Sequence, residues 1–457
     1  MRFELLIALA ALVAGHAARA QPVDVPPTWG GDLESRPRLT GNWGGLRDEL
    51  GKKGIVFDVD LLLTPQEVTS GGRSTGGGTW GNVDYTLNID TQKAGWWPGG
   101  FFKLEGDTGF GSNALYDSGA IVPVNTAALL PGINDRTTAL TNATFMQFFS
   151  ETLGVVLGKF NTFDLGETEF YGDCKTQFLN TAFVFPTTLE QTPISAWGGG
   201  LIALPTKDLT LSALALNPTG TPTTNPVFGD GVEVLANAQL TVRPWGLFGH
   251  QAVGYSWNDK ERYSLDQEPG NIARLLLYAR FPQLANPGPE LIDILERFFP
   301  GLLVSPVPPN TKSSSWAFTY TMDQYFWQAA NTPNKGLGVF FSFGASDGNP
   351  NPIKHSYLAG LGGKDVVPGR ANDNFGLGFA YTQFSNDFLP FLRERLNLGL
   401  DNEKAFEMYY NAALTAWLDL SGDLQIVYPG FAKTLTGLQL TDVNTAVVAG
   451  LRIRARF

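Results

Sequence analysis

The 457-residue sequence holds one cysteine, Cys174, and three histidines. A lone cysteine excludes an intramolecular disulfide even in an oxidising compartment. A nucleophilic role for Cys174 would need a histidine partner, and His250 and His355, the two beyond the N-terminal leader, stand apart from any motif. The same scarcity argues against zinc, whose sites draw several ligands at short spacing. No catalytic residue, no metal ligand and no cofactor is therefore expected. Basic residues are also few: 32 lysines and arginines face 43 acidic residues, for a formal charge of -11. No basic cluster supplies the footprint that phosphate contacts require, so nucleic acid is excluded as a partner. Beyond the leader there is no run of about 18 apolar residues, which excludes a bundle of membrane helices. A closed barrel stays open, because its strands alternate and its mean hydropathy stays near that of a soluble protein; the value here, -0.05, does not discriminate.

Arg2, an apolar run from Leu5 to Val13 and small residues ending in Ala18, Arg19 and Ala20 form a three-part secretory leader. Cleavage is expected after Ala20, giving residues 1–20 as signal peptide. The apolar run is too short to span a bilayer, which takes about 20 residues. Glycine is abundant at 53 residues and aromatics reach 12%, which suits the turns and aromatic girdles of a barrel.

From Asn82 to Asp90 every even position is polar, and Val83, Tyr85, Leu87 and Ile89 fill the odd ones. Period two means a strand with one polar and one apolar face. The pattern recurs from Phe102 to Asp107 and from Val232 to Val242, and further strands are expected at Phe318–Phe326, Phe375–Tyr381, Met408–Leu420 and Leu424–Tyr428. The Val232 segment exceeds the common five or six residues of soluble strands and suits a tilted membrane strand of about 9–11. Phe375, Leu377, Phe379 and Tyr381 alternate with Gly376, Gly378 and Ala380, so small inward residues are expected to leave room for a lumen. At the C-terminus Arg452, Arg454 and Arg456 share one face. At a bilayer midplane each would cost about 2–4 kcal/mol, so they are assigned to the lumen or its periplasmic rim. A soluble β-sandwich or solenoid remains the alternative to a barrel, its glycines then marking bulges or close packing.

Residues 21–54 read as an N-terminal periplasmic segment. Leu46 to Lys53 is expected to form a short helix, capped by Asn42 or Thr40 and ended by Gly54, at the mouth of the barrel or plugging its lumen. Gly71 to Gly78 reads as a flexible hairpin loop carrying Arg73, either solvated or folded inward. Residues 267–315 form a long Pro-rich loop around a helical-looking Leu291 to Phe299, expected outside the cell with its apolar face on the barrel. The barrel then occupies 55–457.

Four segments carry a family resemblance: LTGNWGGLRDELGKKGI near the start, GKFNTFDLGETEFYGDCKTQFLNTAF from Gly158, SSSWAFTYTMDQYFW from Ser313, and EKAFEMYYNAALTAWLDLSGDLQIVYPG from Glu403. Together they resemble the carbohydrate-selective porins of the OprB type, in the family's order across nearly the whole mature chain. The resemblance implies an all-β fold, a closed antiparallel transmembrane barrel of about 16 strands with short periplasmic turns and long extracellular loops. It implies passive uptake of glucose and related small neutral sugars in the outer membrane of a Gram-negative bacterium, through a polar constriction formed by inward loops. The last strand, ending on Phe457, would be read by the barrel-assembly machinery, with lipid and lipopolysaccharide outside. A monomer and a homotrimer are both compatible with the sequence.

A neutral sugar both donates and accepts hydrogen bonds, so a constriction should pair carboxylates with basic groups and add an aromatic ring. Lys103, Glu105 and Asp107 share one strand face and lead the candidates, joined by Arg73, Asp164, Glu233 and Asp323, with Trp316 as the stacking ring. For each, the plainer role is a lumen charge that keeps the pore wet. Two soluble alternatives stand beside the channel: a periplasmic glycoside hydrolase, which needs paired carboxylates about 5–9.5 Å apart, and a sugar-binding β protein.

Overall fold

Alternation with a period of two organises the computed structural model, which describes residues 25–133, 136–224, 226, 229–268, 271, 297, 308–330, 332, 335–387, 400–436 and 439–457. Sixteen antiparallel strands close into one barrel, each paired with its neighbours in the chain. In order they are β1 Ile55–Gly72, β2 Gly76–Asp90, β3 Gly100–Gly111, β4 Thr138–Phe148, β5 Leu153–Asn161, β6 Ser195–Thr206, β7 Leu209–Leu216 and β8 Glu233–Val242. There follow β9 Gly249–Asn258, β10 Ser315–Gln328, β11 Gly336–Ser346, β12 Ile353–Lys364, β13 Asn374–Phe384, β14 Glu403–Ala413, β15 Leu418–Tyr428 and β16 Asn444–Arg456. Short turns join the strands at the rim where the chain enters and leaves the barrel, the terminal rim. The strand ends joined by the long connections, those after β3, β5, β7, β9, β13 and β15, lie at the opposite, far rim.

The burial of these strands inverts that of a soluble sheet. On β15, Asp419, Ser421, Asp423 and Gln425 are buried whereas Leu420, Ile426 and Tyr428 are exposed; on β14, Glu403 and Glu407 are buried whereas Phe406 and Met408 are exposed. A continuous apolar exterior of this extent needs lipid around it. Tryptophans mark its two borders, with Trp197, Trp257 and Trp316 toward the far rim and Trp96, Trp97, Trp245 and Trp327 at the terminal rim. Trp316 and Phe326 are ten residues apart on one outer face, and at about 3.4 Å per residue and a tilt near 40° they bracket roughly 25 Å, the height of a membrane band.

β1 and β16 close the barrel, pairing Asp60 with Arg456 and Leu62 with Arg454. The N-terminal segment fastens over this seam. Leu39 N–H donates to Arg456 O at 2.8 Å and Trp417 Nε1 to Leu33 O at 2.6 Å. Helix α1, Leu46–Lys52, lies at the terminal rim against β1. Neither Asn42 nor Thr40 caps it: the N-cap is Gly45, in a left-handed conformation, without a side-chain bond. The Asn42 side chain donates instead to Asp48, which also accepts from Thr28 and the Trp29 N–H.

Several sequence expectations are corrected. The run Gly71 to Gly78 is mostly strand: β1 extends to Gly72 and β2 starts at Gly76. A Cβ on Gly77 would stand 2.1 Å from Gln66 O, so glycine serves close strand approach there. The expected strand Met408–Leu420 contains a turn at 414–417 between β14 and β15, closed by Leu414 N–H to Leu418 O. The leader 1–20 and the Leu291–Phe299 helix lie outside the described residues, apart from Arg297.

Candidate functional site

Sixteen strands enclose a lumen wide enough for an aqueous channel, and here two far-rim loops fold into it. The longer, residues 162–194, is seated by aromatic rings on bare backbone. Gly338, Gly362 and Gly376 face one another across β11, β12 and β13. A Cβ on Gly338 or Gly362 would meet the Phe170 ring at 2.2 or 2.4 Å, and one on Gly376 the Phe178 ring at 2.7 Å. Phe178 stacks on Phe183 at 4.6 Å and meets Tyr409 edge-on at 4.7 Å; Phe170 meets Tyr325 at 4.8 Å. The small inward residues of β13 therefore do not leave open lumen, as the alternation alone suggested; they receive the loop. Burying three such rings contributes on the order of 2–3 kcal/mol each, enough to hold a segment whose backbone has no sheet partners.

So seated, the loop brings charged side chains against β1, β2, β3 and β16. Lys103 Nζ lies 2.6 Å from Glu105 Oε1 and 2.9 Å from Asp164 Oδ2. Asn161 Nδ2 donates to Asp164 Oδ1 at 3.1 Å. Lys175 Nζ lies 2.5 Å from Asp84 Oδ2, and Arg454 grips Asp60 through Nε and Nη2. Lys103, Asp164 and Lys175 each keep about a third of their side-chain surface open (37%, 34% and 37%), so the belt is wet.

The loop groups titrate unevenly. Burial opposes ionisation of Asp164, yet Lys103 beside it holds its carboxyl below the ordinary range. Burial likewise works against charge on Lys175, but Asp84 and Asp60 hold its ammonium well above the ordinary value. Glu167 lacks such a partner: its enclosure, then the carboxylates of Asp173 and Asp164, push it up to about 8. Burial pushes the Cys174 thiol up to about 12, which leaves no reactive thiolate at neutral pH. Among the described residues, no group of three or more His, Cys, Asp or Glu is placed to hold a metal ion.

Of the candidates from sequence, Lys103, Glu105 and Asp164 meet directly. Asp107 lies further along β3, accepting from Asn82 Nδ2 at 3.0 Å, with Asp84 beside it. Three others stand elsewhere. Arg73 is in the far-rim hairpin, its guanidinium 4.1 Å above the Tyr116 ring. Glu233 accepts from Thr192 at 2.7 Å and Ser256 at 2.8 Å, tethering the end of the long loop. Asp323 pairs with His250 at 2.9 Å beside a cavity of about 120 Å³ that Glu167 and Tyr171 also line.

Trp316 is a correction. It sits opposite Trp257 on the outer face, 40% exposed, so it belongs to the aromatic girdle and offers no ring to the lumen. Arg452, Arg454 and Arg456 all turn inward. Arg454 and Arg456 pair with Asp60 and Asp419, while Arg452 is buried and donates to Cys174 O and Ser421 Oγ. The sequence reading passed over Asp60, Asp84, Glu167, Asp173 and Lys175. Four of these had a signal: Glu167, Asp173 and Lys175 fall in the charge-dense run GETEFYGDCKTQF, and Asp84 is on the polar face of the first strand recognised.

A closed sixteen-strand barrel with a polar interior, an apolar exterior and inward loops defines an outer-membrane porin. The carbohydrate-selective porin, OprB family, matches residues 74–457, and the chain belongs to that family. It is an outer-membrane carbohydrate porin, in a family and fold of channels and not of enzymes. Its fold is similar to the high-pH structure of Pseudomonas putida OprB, with a TM-score of 0.74 and 21% identity over 93% of this chain and all of the other. The low-pH structure of Pseudomonas putida OprB gives a TM-score of 0.54 and 18% identity over 93% and 99% of the two chains. A search of curated proteins finds no match.

Proposed function

We propose that this porin passes small neutral sugars, monosaccharides such as glucose among them, by passive diffusion through the belt between the long inner loop and the wall. The observation that carries the reading is Lys103 held between Glu105 and Asp164, at 2.6 and 2.9 Å, on a surface still open to water. A sugar hydroxyl can accept from the ammonium while donating to either carboxylate, replacing its hydration shell as it passes. Asp84 with Lys175 and Asp60 with Arg454 continue the same alternation of acceptor and donor. Asp107, Glu233 and Asp323 act behind this belt, wetting the lumen and fastening the loop, and Arg73 acts at the far entrance.

In this reading the terminal rim faces the periplasm and residues 21–54 lie there, after cleavage at about Ala20. The far rim, with loop 267–315, faces outward among lipopolysaccharide. The assembly machinery engages β16 and Phe457, and the porin inserts as a monomer or a homotrimer. Binding has to stay weak for conduction, near millimolar, or about 4 kcal/mol.

The test is single-channel conductance of the refolded mature protein in planar bilayers, with glucose, xylose and larger oligosaccharides added in turn. Concentration-dependent block by monosaccharides in the millimolar range is expected. No conductance steps, or steps indifferent to every sugar, would refute the reading.

A further inference from the structure

Two inward glutamates of β14 hold the inner loops by their backbones. Glu403 and Glu407 are four residues apart, hence on the same face of the strand, and both are buried, at 3% and 0%. Glu407 accepts the N–H of Leu179 at 2.5 Å and of Asn180 at 3.0 Å. Glu403 accepts the N–H of Ile121 at 2.8 Å, of Val122 at 2.9 Å and of Gly430 at 2.9 Å. One strand thus binds the long inner loop, the shorter inner loop (112–137) and the far-rim connection after β15.

The two inner loops are also joined to each other. Thr126 N–H donates to Leu179 O at 2.8 Å and Thr181 N–H to Pro123 O at 2.9 Å. Gln425, opposite Glu407 on β15, accepts from Asn180 Nδ2 at 3.2 Å and donates to Val124 O at 2.9 Å. The glutamate contacts stand out among these because each carboxyl group receives two or three backbone N–H groups at once, so its removal would leave several buried donors unpaired. The contact at Leu179 falls four residues beyond Lys175, whose ammonium meets Asp84 across the passage. Slack at Leu179 would therefore pass directly into the charged belt.

We infer that Glu403 and Glu407 are positioning residues that set the width and selectivity of the passage without touching the solute. The inference rests on the channel reading of the preceding section. Neither side chain takes part in the barrel's own ladder, since β14 pairs with β13 and β15 through backbone groups along its length. Loosening the loops should accordingly leave the barrel closed. Glutamine at either position keeps the side-chain shape but turns an amide nitrogen toward a backbone N–H, so one of the paired bonds is lost.

The experiment compares the refolded mature protein with Glu403→Gln, Glu407→Gln and the double variant. Asp373→Asn is the control, removing a buried carboxylate from a turn at the terminal rim. The readouts are conductance and open-channel noise in planar bilayers, the glucose concentration giving half block, thermolysin cleavage in micelles, and the heat-modifiable migration of a folded barrel. Expected results are higher and noisier conductance, a several-fold weaker glucose block and new cleavage within 112–137 and 162–194, all with folded migration retained, and a control like wild type. Wild-type conductance, block and protease resistance in the double variant would overturn the inference. Should the glutamine variants fail to refold, Glu407→Asp keeps the carboxyl group but withdraws it by one methylene; noisier conductance and new loop cleavage support the latch, and wild-type behaviour refutes it. A wild-type protein without channel steps would sink the preceding reading alone, because the cleavage pattern would still decide whether the glutamates hold the loops.

Discussion

The ammonium of Lys103 lies 2.9 Å from the carboxylate of Asp164, although the two residues are 61 positions apart in the chain. The contact joins barrel wall to inner loop, and Glu105 shares it from the same strand. Both partners of the Lys103–Asp164 pair are about a third exposed, so solvent screens it and its share of stability is under about 1 kcal/mol. Its consequence lies in permeation. Lys103→Met leaves two carboxylates facing each other without a cation, so cation preference should rise and glucose block weaken by several-fold. Glu105→Ala should also weaken the block, while removing one negative charge. Reversal potentials in a salt gradient and glucose titrations measure both; unchanged values in both variants would remove these residues from the belt.

Gly362 bears directly on loop seating. Its missing Cβ would stand 2.4 Å from Phe170 Cδ1 and 2.7 Å from Phe170 Cβ, so alanine there forces the ring out of its seat. Overpacking of this kind costs about 1–3 kcal/mol. Gly362→Ala should lower the urea midpoint and alter glucose block together. Phe170→Ala should cost stability alone, yet relieve part of the Gly362→Ala defect in the double variant, since the two residues share one space. Additive losses would show that the ring is not what the glycine accommodates.

The barrel was legible in the sequence because lipid and lumen impose opposite chemistry on adjacent residues. Val83, Tyr85, Leu87 and Ile89 alternate with polar neighbours for that reason alone. Trp316 shows how residue type can mislead when parity is ignored. It is seven positions from Asp323, an odd separation, so on an unbroken strand the two cannot share a face. The loop contacts were beyond such reading: nothing in GETEFYGDCKTQF says that Phe170 will find Gly362 or that Lys175 will find Asp84. A loop inside a lumen has no period, and its partners are fixed by strands hundreds of residues away. Gly376 and Gly378 suggest open space in the sequence because a missing side chain looks the same whether water or a phenyl ring fills its place.

Glu167 supplies a pH dependence. With its carboxyl pushed from 4.5 up to about 8 by its enclosure and by Asp173 and Asp164, the folded loop binds a proton that the unfolded chain releases. The resulting stability is complete below about 4.5 and is lost as pH rises toward 8. Glu167 faces lumen water, which tempers the size of the effect without changing its sign. Ionisation adds a negative charge beside the passage, so cation preference should climb across the upper part of that window. Glu167→Gln should flatten the climb in reversal potentials recorded from pH 5 to 9, and an identical titration in the variant would assign the change to another group.

Arg47 governs a different property, closure of the barrel. Its side chain is 2% exposed, and Nη2 donates to Phe57 O at 2.8 Å, Asp58 Oδ1 at 2.8 Å and Phe457 O at 3.0 Å. The guanidinium also lies 4.7 Å from the centre of the Trp43 ring. One residue of the N-terminal segment therefore ties the first strand to the last residue of the chain, at the seam where the sheet meets itself. Arg47→Met keeps most of the apolar volume but removes every donor. Asp58 retains Arg38 at 2.7 Å, so no carboxylate is stranded, and the loss should be about 2–3 kcal/mol. That loss should appear as a lower temperature for conversion of the folded band on electrophoresis. Glucose block should be unchanged, because the pairs of the belt, Lys103 with Asp164 and Asp60 with Arg454, are made without Arg47. Unaltered thermal conversion would mean that the seam holds through its ladder alone.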